Sequence, residues 1–501
     1  MCIMIRYFSK SKQKVITSFY KLVLVESGEA AALYDAFTNN IKDSGLNLNN
    51  LIGIGVDGAN AMVGAHNSLA SRLTALIPHL VVVKCVCHSL HLAAEEAFKC
   101  LPKHIDFLIK ECYNWFSMSS KRQIEYQKLY QSMTENTKEP TKIARLSGTR
   151  WLARISAIST ILDQWEPLKQ HFQIAKEKER CYTAEQLHSM FEDDKNLIYL
   201  TFLKTYLKKV TSLNELFQKD QVECLKLFED LNDLLYDILQ VIVVPQQLAK
   251  MNRKDLSGYN FQAYIMSVNH MNFGYAVTKA CDDAYIKATK DLTDRQQKNL
   301  VSQKFTNDIY GIKERFKLFL VTLGCELQKR VPKNIDILKT MSLFSIQDMN
   351  LTFPKDISGI ASTFENISGG TVDDIVSEWN LVHKIQIEAT TTDEFWSRVS
   401  QMTTASGEKR FGHISKLATS LLSLPFSNGS VERSFSIMNI VKNKLRNQMS
   451  VKTAEAILRV KDNLPNSALF TPTKEMLKKF CSSEMYNSEV DESVINTLSE
   501  L

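Results

Sequence analysis

The stretch from residue 155 to residue 404 constrains the fold most, because its apolar residues recur at helical spacing over long distances. The clearest examples are 200–216, 224–244 and 303–323, and strand-like runs are few. Gly and Pro, at 17 and 10 of 501 residues, are scarce, which favours helices. At ordinary helix and loop lengths this stretch has room for about a dozen helices. We therefore predict an all-helical domain here, within a chain that is mostly helical.

The part of the chain before this stretch has the pattern of a sheet with helices. Two runs near the N-terminus are rich in β-branched and aromatic side chains, and the polar stretch between them predicts a hairpin. The predicted strands cover 2–8, 15–25, 51–56 and 80–87, and the predicted helices cover 29–43, 60–76 and 88–99. This order predicts a mixed sheet with helices on its faces. The fold class is therefore α/β with a large all-helical part.

Composition limits the function classes. The chain has 61 Lys and Arg against 55 Asp and Glu, a net charge of +6 that permits contact with a polyanion without requiring it. Its ten Cys are scattered without paired spacing, as is typical of a reducing compartment. No apolar run is long enough to span a bilayer, and the apolar N-terminus is too short for a signal peptide. We expect a protein of the nucleus or cytoplasm with no membrane partner.

The sequence SNGSVERSFS at 427–436 predicts the start of an amphipathic helix, after Pro425 and with Ser427 or Asn428 as the cap. It places Glu432 and Arg433 in the first turn. A single buried stripe is predicted through Val431, Phe435, Met438, Val441 and Leu445. Glu432 lies beside that stripe, so its carboxylate can point into a cleft. The alternative is that Glu432 only complements the helix dipole, as acids in first turns commonly do.

Asp57 follows a predicted buried strand and precedes a turn into a helix. Ligands of α/β sheets bind at this end of the strands, so Asp57 is a candidate functional carboxylate. The alternative is an ordinary turn residue, because Asp-Gly is a common turn pair.

Cys85, Cys87, His88 and His91 follow the next predicted strand. Thiolate and imidazole bind zinc, but a structural zinc site needs four ligands and no second cluster of this kind follows. We favour a structural role, in which the two Cys pack inside the strand and His88 braces the junction between strand and helix.

Thr149-Arg150-Trp151 precedes the helical stretch. A Trp after an Arg is commonly a core anchor beside a surface charge. The alternative is contact with nucleic acid, since aromatic faces stack on bases and Arg pairs with phosphate.

These four signals, in this order, resemble the hAT transposase superfamily. The resemblance rests on P-x-S-N-x-x-x-E-R-x-F-S around Glu432, C-x-x-H-x-L-x-L from Cys85, T-R-W at 149–151 and Asp57, and it extends from residue 2 to about 464. It implies an RNase H-like domain interrupted by a helical insertion, and a C-terminal dimerisation region. It also implies two-metal phosphoryl transfer, with Glu432 the last of three acids that bind two Mg²⁺ ions. The sequence also resembles domesticated relatives that are fused to MYM-type, BED or SCAN modules.

The sequence departs from that pattern at its start. In hAT relatives the first acid lies on a strand before the one that resembles residues 2–8, and here no Asp or Glu precedes Glu26. We expect the first metal ligand, its strand and the upstream zinc finger to be missing. Two acids would hold Mg²⁺ poorly, because this ion demands strict geometry. We therefore expect a degenerate or domesticated element, or a truncated gene model, that is catalytically silent.

The resulting predictions are specific. The domains are 1–154 (RNase H-like), 155–404 (helical insertion), 405–475 (dimerisation region) and 476–501 (acidic, disordered tail). The candidate residues are Asp57 and Glu432 for catalysis and Mg²⁺, Arg150, Trp151 and Arg433 for DNA, Cys85 and His88 for structure, and Phe435, Ile437, Ile440 and Leu458 for dimerisation. We expect a nuclear homodimer or higher oligomer, with weak DNA contact and no small-molecule substrate. The alternatives are an active transposase or nuclease whose missing ligand comes from elsewhere, and a helical protein-interaction scaffold.

Overall fold

A computed structural model describes residues 1–134, 139–145, 152, 154–219, 226–251, 256, 258–290, 292–330, 335–349, 354–443, 446–464 and 470–480. It is mostly helical, with 67% helix and two small sheets of two strands each. This confirms the predicted mostly helical fold with a minor sheet. None of the described helices combines the length and the apolar character needed to cross a membrane.

The strands form two separate pairs. Strands β1 (Cys2–Ser9) and β2 (Lys14–Leu22) make the predicted hairpin. Strands β3 (Gly53–Val56) and β4 (Val81–Lys84) are parallel, with Gly53 opposite Val81 and Val56 opposite Lys84. The prediction of one mixed sheet is therefore corrected. In the described part of the chain no strand is hydrogen-bonded to both pairs, so nothing joins them into one sheet.

The helices before residue 150 include those predicted over 29–43 and 88–99, and two helices after residue 100 that were not predicted. They are α1 (Ala30–Asp43), α2 (Asn60–Val63), α3 (Leu69–Leu76), α4 (Val86–Phe98), α5 (Lys103–Ser117) and α6 (Ser120–Thr134). The helix predicted over 60–76 is two helices, because Ser68 and Ser71 form a capping box that starts α3 anew. The strand predicted over 80–87 ends at Lys84, since Cys85 caps α4 instead of continuing β4.

In its described residues, the predicted helical stretch consists mainly of helices joined by loops. Its helices are α7 (Arg154–Asp163), α8 (Trp165–Glu179), α9 (Tyr182–Glu192), α10 (Asp194–Phe217), α11 (Leu227–Ile242), α12 (Pro245–Leu248), α13 (Tyr275–Thr289), α14 (Arg295–Arg330), α15 (Ile335–Ser342), α16 (Ile346–Met349), α17 (Ser358–Thr363), α18 (Glu365–Ser368), α19 (Val372–Val382) and α20 (Thr392–Gln401). Helices α21 (Gly412–Leu422), α22 (Gly429–Val441), α23 (Val451–Asn463) and α24 (Lys474–Phe480) follow. Residues 476–480 of the predicted tail lie in α24, and 481–501 lie outside the described residues.

The chain divides into two compact units. The first comprises Met1, Arg6–Thr17 and Leu24–Arg433, and the second comprises Cys2–Ile5, Ser18–Val23 and Ser434–Leu501. The domain boundaries predicted at 154, 404 and 475 stay predictions.

The core of the first unit is built around α10. This helix packs against α4, α5, α7, α9, α11 and α13, and α14 packs against α4, α11 and α13. Phe202 of α10 is fully buried and its ring stacks on that of Phe316 in α14, with 3.8 Å between the centroids. Packing of aromatic side chains between long helices thus fixes the framework that carries the candidate site.

In the second unit α23 contacts strand β2 of the hairpin. The carboxylate of Asp462 accepts the Phe19 N–H at 2.8 Å, and the guanidinium of Arg459 donates to the Tyr20 carbonyl at 2.7 Å. Ala454 and Leu458, one turn apart on α23, are buried. Side chains of α23 therefore hydrogen-bond to the backbone of β2.

Candidate site at the carboxyl ends of the parallel strands

Strands β3 and β4 end at the same edge of their sheet, because they are parallel and in register. The Cys85 N–H extends the pairing by donating to the Val56 carbonyl at 2.8 Å. Asp57 follows Val56 directly and is exposed at this edge. One oxygen of its carboxylate accepts the Ala59 N–H at 3.0 Å, the bond typical of a turn-forming Asp. The carboxylate is thus at the predicted position, and it also makes the turn of the alternative interpretation.

His88 lies against the turn that contains Asp57. A Cβ placed on Gly58 would be 3.4 Å from Cδ2 and 3.7 Å from Nε2 of the His88 ring. His88 is half-buried and lies in the first turn of α4. The ring therefore packs against the turn at the strand–helix junction, and its bracing role stays a prediction.

The segment that leads into α22 packs on β3. Gly53 and Gly55 lie on one face of that strand, two residues apart. A Cβ on Gly53 would collide with Cδ2 of Leu424, and one on Gly55 would lie 2.9 Å from the Pro425 carbonyl oxygen. Two glycines in a short strand are thus explained by the close approach of residues 424–425, 370 residues later in the chain.

Sulfur atoms hold the same segment against α4. The Asn428 N–H donates to Sγ of Cys85 at 3.4 Å, and Sγ of Cys87 lies 3.5 Å from Oγ of Ser427. A further bond joins the Val86 N–H to the Phe426 carbonyl at 3.4 Å. Both Cys are buried, but Cys85 caps α4 and Cys87 lies in its first turn, so their predicted placement inside a strand is corrected.

The two thiols have opposite pKa shifts. The hydrogen bond from Cys87, aided by the N–H groups of Asn428 and His88 and opposed by burial, lowers the pKa of Cys85 to about 7. That same bond, together with burial, raises the pKa of Cys87. The Glu432 carboxylate acts on both thiols by repelling their thiolate forms, which raises their pKa. Glu432 therefore lies within electrostatic range of the Cys85–His88 junction.

Asp57 and Glu432 thus approach one junction of the first unit, although 374 residues separate them along the chain. Asp57 reaches it through the turn against His88, and Glu432 through the first turn of α22, where its N–H donates to the Asn428 carbonyl at 2.9 Å. Whether both carboxylates face one cleft stays a prediction.

Some of the described donor groups at this edge already make other hydrogen bonds. Within the described ranges no group of three or more His, Cys, Asp or Glu side chains is placed to hold a metal ion. Asp57 already uses one oxygen in its turn. Two candidate zinc ligands are likewise engaged, since Sγ of Cys85 accepts the Asn428 N–H and Nδ1 of His91 accepts the Leu152 N–H at 3.2 Å.

Arg433 points to the helical region. Its Nη1 donates to the Gln218 carbonyl at 2.6 Å, at the C-terminal end of α10. The other two predicted DNA ligands, Arg150 and Trp151, lie outside the described residues. The sequence gives no signal for Gln218 as a partner of Arg433, because 215 positions separate the two.

The residues predicted for dimerisation differ in exposure. Ile440 and Phe435 are 74% and 38% exposed, Ile437 is half-buried, and Leu458 is buried at 4%. The predicted buried stripe through Phe435 is wrong. The residue of α22 that is buried in the second unit is Ser434, whose hydroxyl donates to Sδ of Met4 at 3.7 Å. Leu445, at the end of the predicted stripe, lies outside the described residues.

A comparison with protein families agrees with the C-terminal prediction. Residues 394–464 match the model of the hAT family C-terminal dimerisation region. This match supports a chain related to hAT transposases that self-associates through this region.

Proposed function

We propose that this protein is derived from a hAT transposase, forms homodimers through its C-terminal region and does not cut DNA. The observation that carries the proposal is the match of residues 394–464 to the dimerisation region. In this proposal the hairpin and the parallel pair belong to an RNase H-like domain, and the protein is nuclear. Contact with DNA through Arg150 and Trp151 is weak and tolerant of sequence.

The exposed apolar residues of α22 support self-association. Ile440 is 74% exposed and Phe435 is 38% exposed within a single chain. Fully burying one such side chain stabilises a complex by roughly 1.5–3 kcal/mol. A two-fold symmetric interface repeats each contact, so few residues suffice to hold two chains together. Ile440 is therefore the residue on which we expect the dimer to depend most.

Loss of catalysis is proposed from the donor set at the carboxyl ends of β3 and β4. Mg²⁺ takes oxygen ligands in near-ideal octahedral geometry, and a two-metal reaction needs carboxylates that hold both ions. In the described part of the chain, Glu432 lies within electrostatic range of Cys85 and Cys87, and Asp57 lies in the turn beside His88. Two carboxylates, one of them engaged in a turn, support a silent site.

Sedimentation equilibrium of the full chain tests the dimer. We expect wild-type protein to dimerise at micromolar concentration and Ile440→Asp to raise the dissociation constant about a hundredfold or more, because two buried apolar contacts become charged. Ile286→Asp is the matched control, since Ile286 on α13 is 60% exposed. A monomeric wild-type protein would overturn the proposal, and so would equal effects of the two substitutions.

A nicking assay on supercoiled DNA with Mg²⁺ or Mn²⁺ tests the silent site. We expect no cleavage by the full chain. The rival function is a metal-dependent nuclease whose third ligand comes from elsewhere, and it is favoured by the approach of Asp57 and Glu432 to one junction. Metal-dependent nicking that disappears in Glu432→Gln would establish that rival.

A further inference from the structure

The first turn of α22 is tied to the C-terminal end of α10 by Arg433. Gln218 is the C-cap residue of α10, and its carbonyl is one of those that a helix end leaves without an intrahelical partner. Nη1 of Arg433 donates to this carbonyl at 2.6 Å. The last turn of α10 contains no basic residue of its own. Arg433 therefore brings to this helix end the positive charge that complements its dipole.

Gly429 lets the two helices approach closely enough for that bond. A Cβ on Gly429 would lie 3.3 Å from the Cα of Gln218 and 3.2 Å from Oγ of Ser427. Gly429 and Arg433 are four residues apart on α22, so they share one face of the helix. Both therefore contact Gln218 of α10. Gly429 approaches it closely because it has no side chain, and Arg433 donates a hydrogen bond to it from the guanidinium.

A second contact fixes the same end of α10. Sγ of Cys87 lies 3.7 Å from the Asn214 carbonyl oxygen and 3.5 Å from Oγ of Ser427. Asn214 and Gln218 are one turn apart on α10. Two successive turns of α10 are therefore joined, directly or through α4, to residues 427–433.

Helix α10 is a rigid anchor for this arrangement, because six other helices of the first unit pack against it. Arg433 itself is exposed at the surface, so its guanidinium, not burial of its stem, accounts for its contribution. We propose that Arg433 is a positioning residue that, together with Gly429, fixes the first turn of α22 and the Glu432 carboxylate against the end of α10. The contact with DNA predicted for Arg433 stays a prediction, and the positioning role holds whether or not the protein dimerises.

Amide hydrogen exchange of the full chain tests the proposal in Arg433→Ala, Arg433→Lys and Gly429→Ala. We expect exchange to become about tenfold faster or more in both Arg433→Ala and Gly429→Ala, at 431–436 and at 213–218 together. Arg433→Lys should restore most of the protection, since an ammonium also donates to a carbonyl. Lys442→Gln, which removes an exposed cation just after the same helix, should change neither segment.

The two segments must respond together for the proposal to hold. Faster exchange at 431–436 alone would overturn it, because α10 would then not be the partner. Unchanged exchange at both segments in Arg433→Ala would overturn it too. Exchange of α8, which lies in another part of the first unit, reports general unfolding and should stay at the wild-type rate. If Arg433→Ala were unfolded throughout, Gly429→Ala and Arg433→Lys would still decide.

Discussion

Helices α10 and α22 use their apolar residues in opposite ways. Half of the 24 residues of α10 are buried, including Phe202 and Leu203, and other helices of the first unit cover them. In α22 the buried residues are Gly429 and Ser434, while Phe435 and Ile440 are exposed. Both sequences have apolar residues at helical spacing. The pattern alone therefore does not predict whether the apolar side chains of a helix are buried within one chain.

The difference indicates where stability and association come from. The side chains of α10 make dispersion contacts within the chain, so we expect them to determine the free energy of unfolding. The exposed residues of α22 contribute little to a single chain and much to a complex. Because the family match covers α22 and α23, the exposed residues lie where a dimerisation surface is expected.

The largest effect is expected when one Phe is substituted in each helix, and this experiment separates the two roles. Phe202→Ala should lower the free energy of unfolding by about 3–5 kcal/mol, because it leaves a cavity beside the stacked ring of Phe316. Phe435→Ala should lower it by less than about 1 kcal/mol in dilute protein, since Phe435 is 38% exposed. Urea unfolding measures both. Similar losses in the two variants would contradict the proposed division of roles.

The sequence predicts the parts of the fold that depend on local patterns. The hairpin, the strand before Asp57 and the helical stretch after Arg154 all follow from periodicity and turn residues. Of the two predicted caps, Asn428 directly precedes α22, and its carbonyl accepts the Glu432 N–H at 2.9 Å as an N-cap carbonyl does. These features depend on residues a few positions apart, which a single sequence displays.

Features that depend on distant contacts could not be predicted. The pairing of Arg433 with Gln218, the approach of Pro425 to Gly55 and the burial of Ser434 each join segments hundreds of residues apart. Cys85 ends β4 early because its N–H and its sulfur both receive tertiary partners. The candidate site was thus predicted as a set of residues, whereas the contacts that arrange them were not.

The second expected effect is a loss of stability of the first unit at acidic pH. Nε2 of His171 in α8 accepts the indole N–H of Trp115 at 3.0 Å, so the ring is neutral when folded. Burial lowers the pKa of His171 to about 4, with a smaller opposite effect of Glu179 and a smaller lowering by Arg122. In the unfolded chain the pKa is about 6.5, so unfolding takes up a proton between these values.

The contribution of neutral His171 to the free energy of unfolding is therefore fully present above about pH 6.5. It is lost as the pH falls towards 4, by an amount of order 3 kcal/mol. Urea unfolding at pH 7.5 and pH 5 should show a smaller loss in His171→Gln, whose amide oxygen can still accept from Trp115. Residues 434–501 contain no His, so we expect no such dependence there. An equal loss in wild type and His171→Gln would contradict this assignment.

The smallest expected effect concerns a hydrogen bond from the backbone to a carboxylate in the second unit. Asp462 is exposed, yet it accepts the N–H of the buried Phe19 at 2.8 Å. Asp462→Ala should weaken this unit by about 1–2 kcal/mol, because the backbone donor loses its acceptor. Asp462→Asn keeps an oxygen acceptor and should cost less than half as much. Exchange of the Phe19 amide measures the difference: it should quicken in Asp462→Ala while the amides of α10 stay protected. If the amides of α10 exchanged faster by the same factor, the two regions would not be independent. That result would contradict the proposed difference between the tightly packed helix α10 and the C-terminal segment.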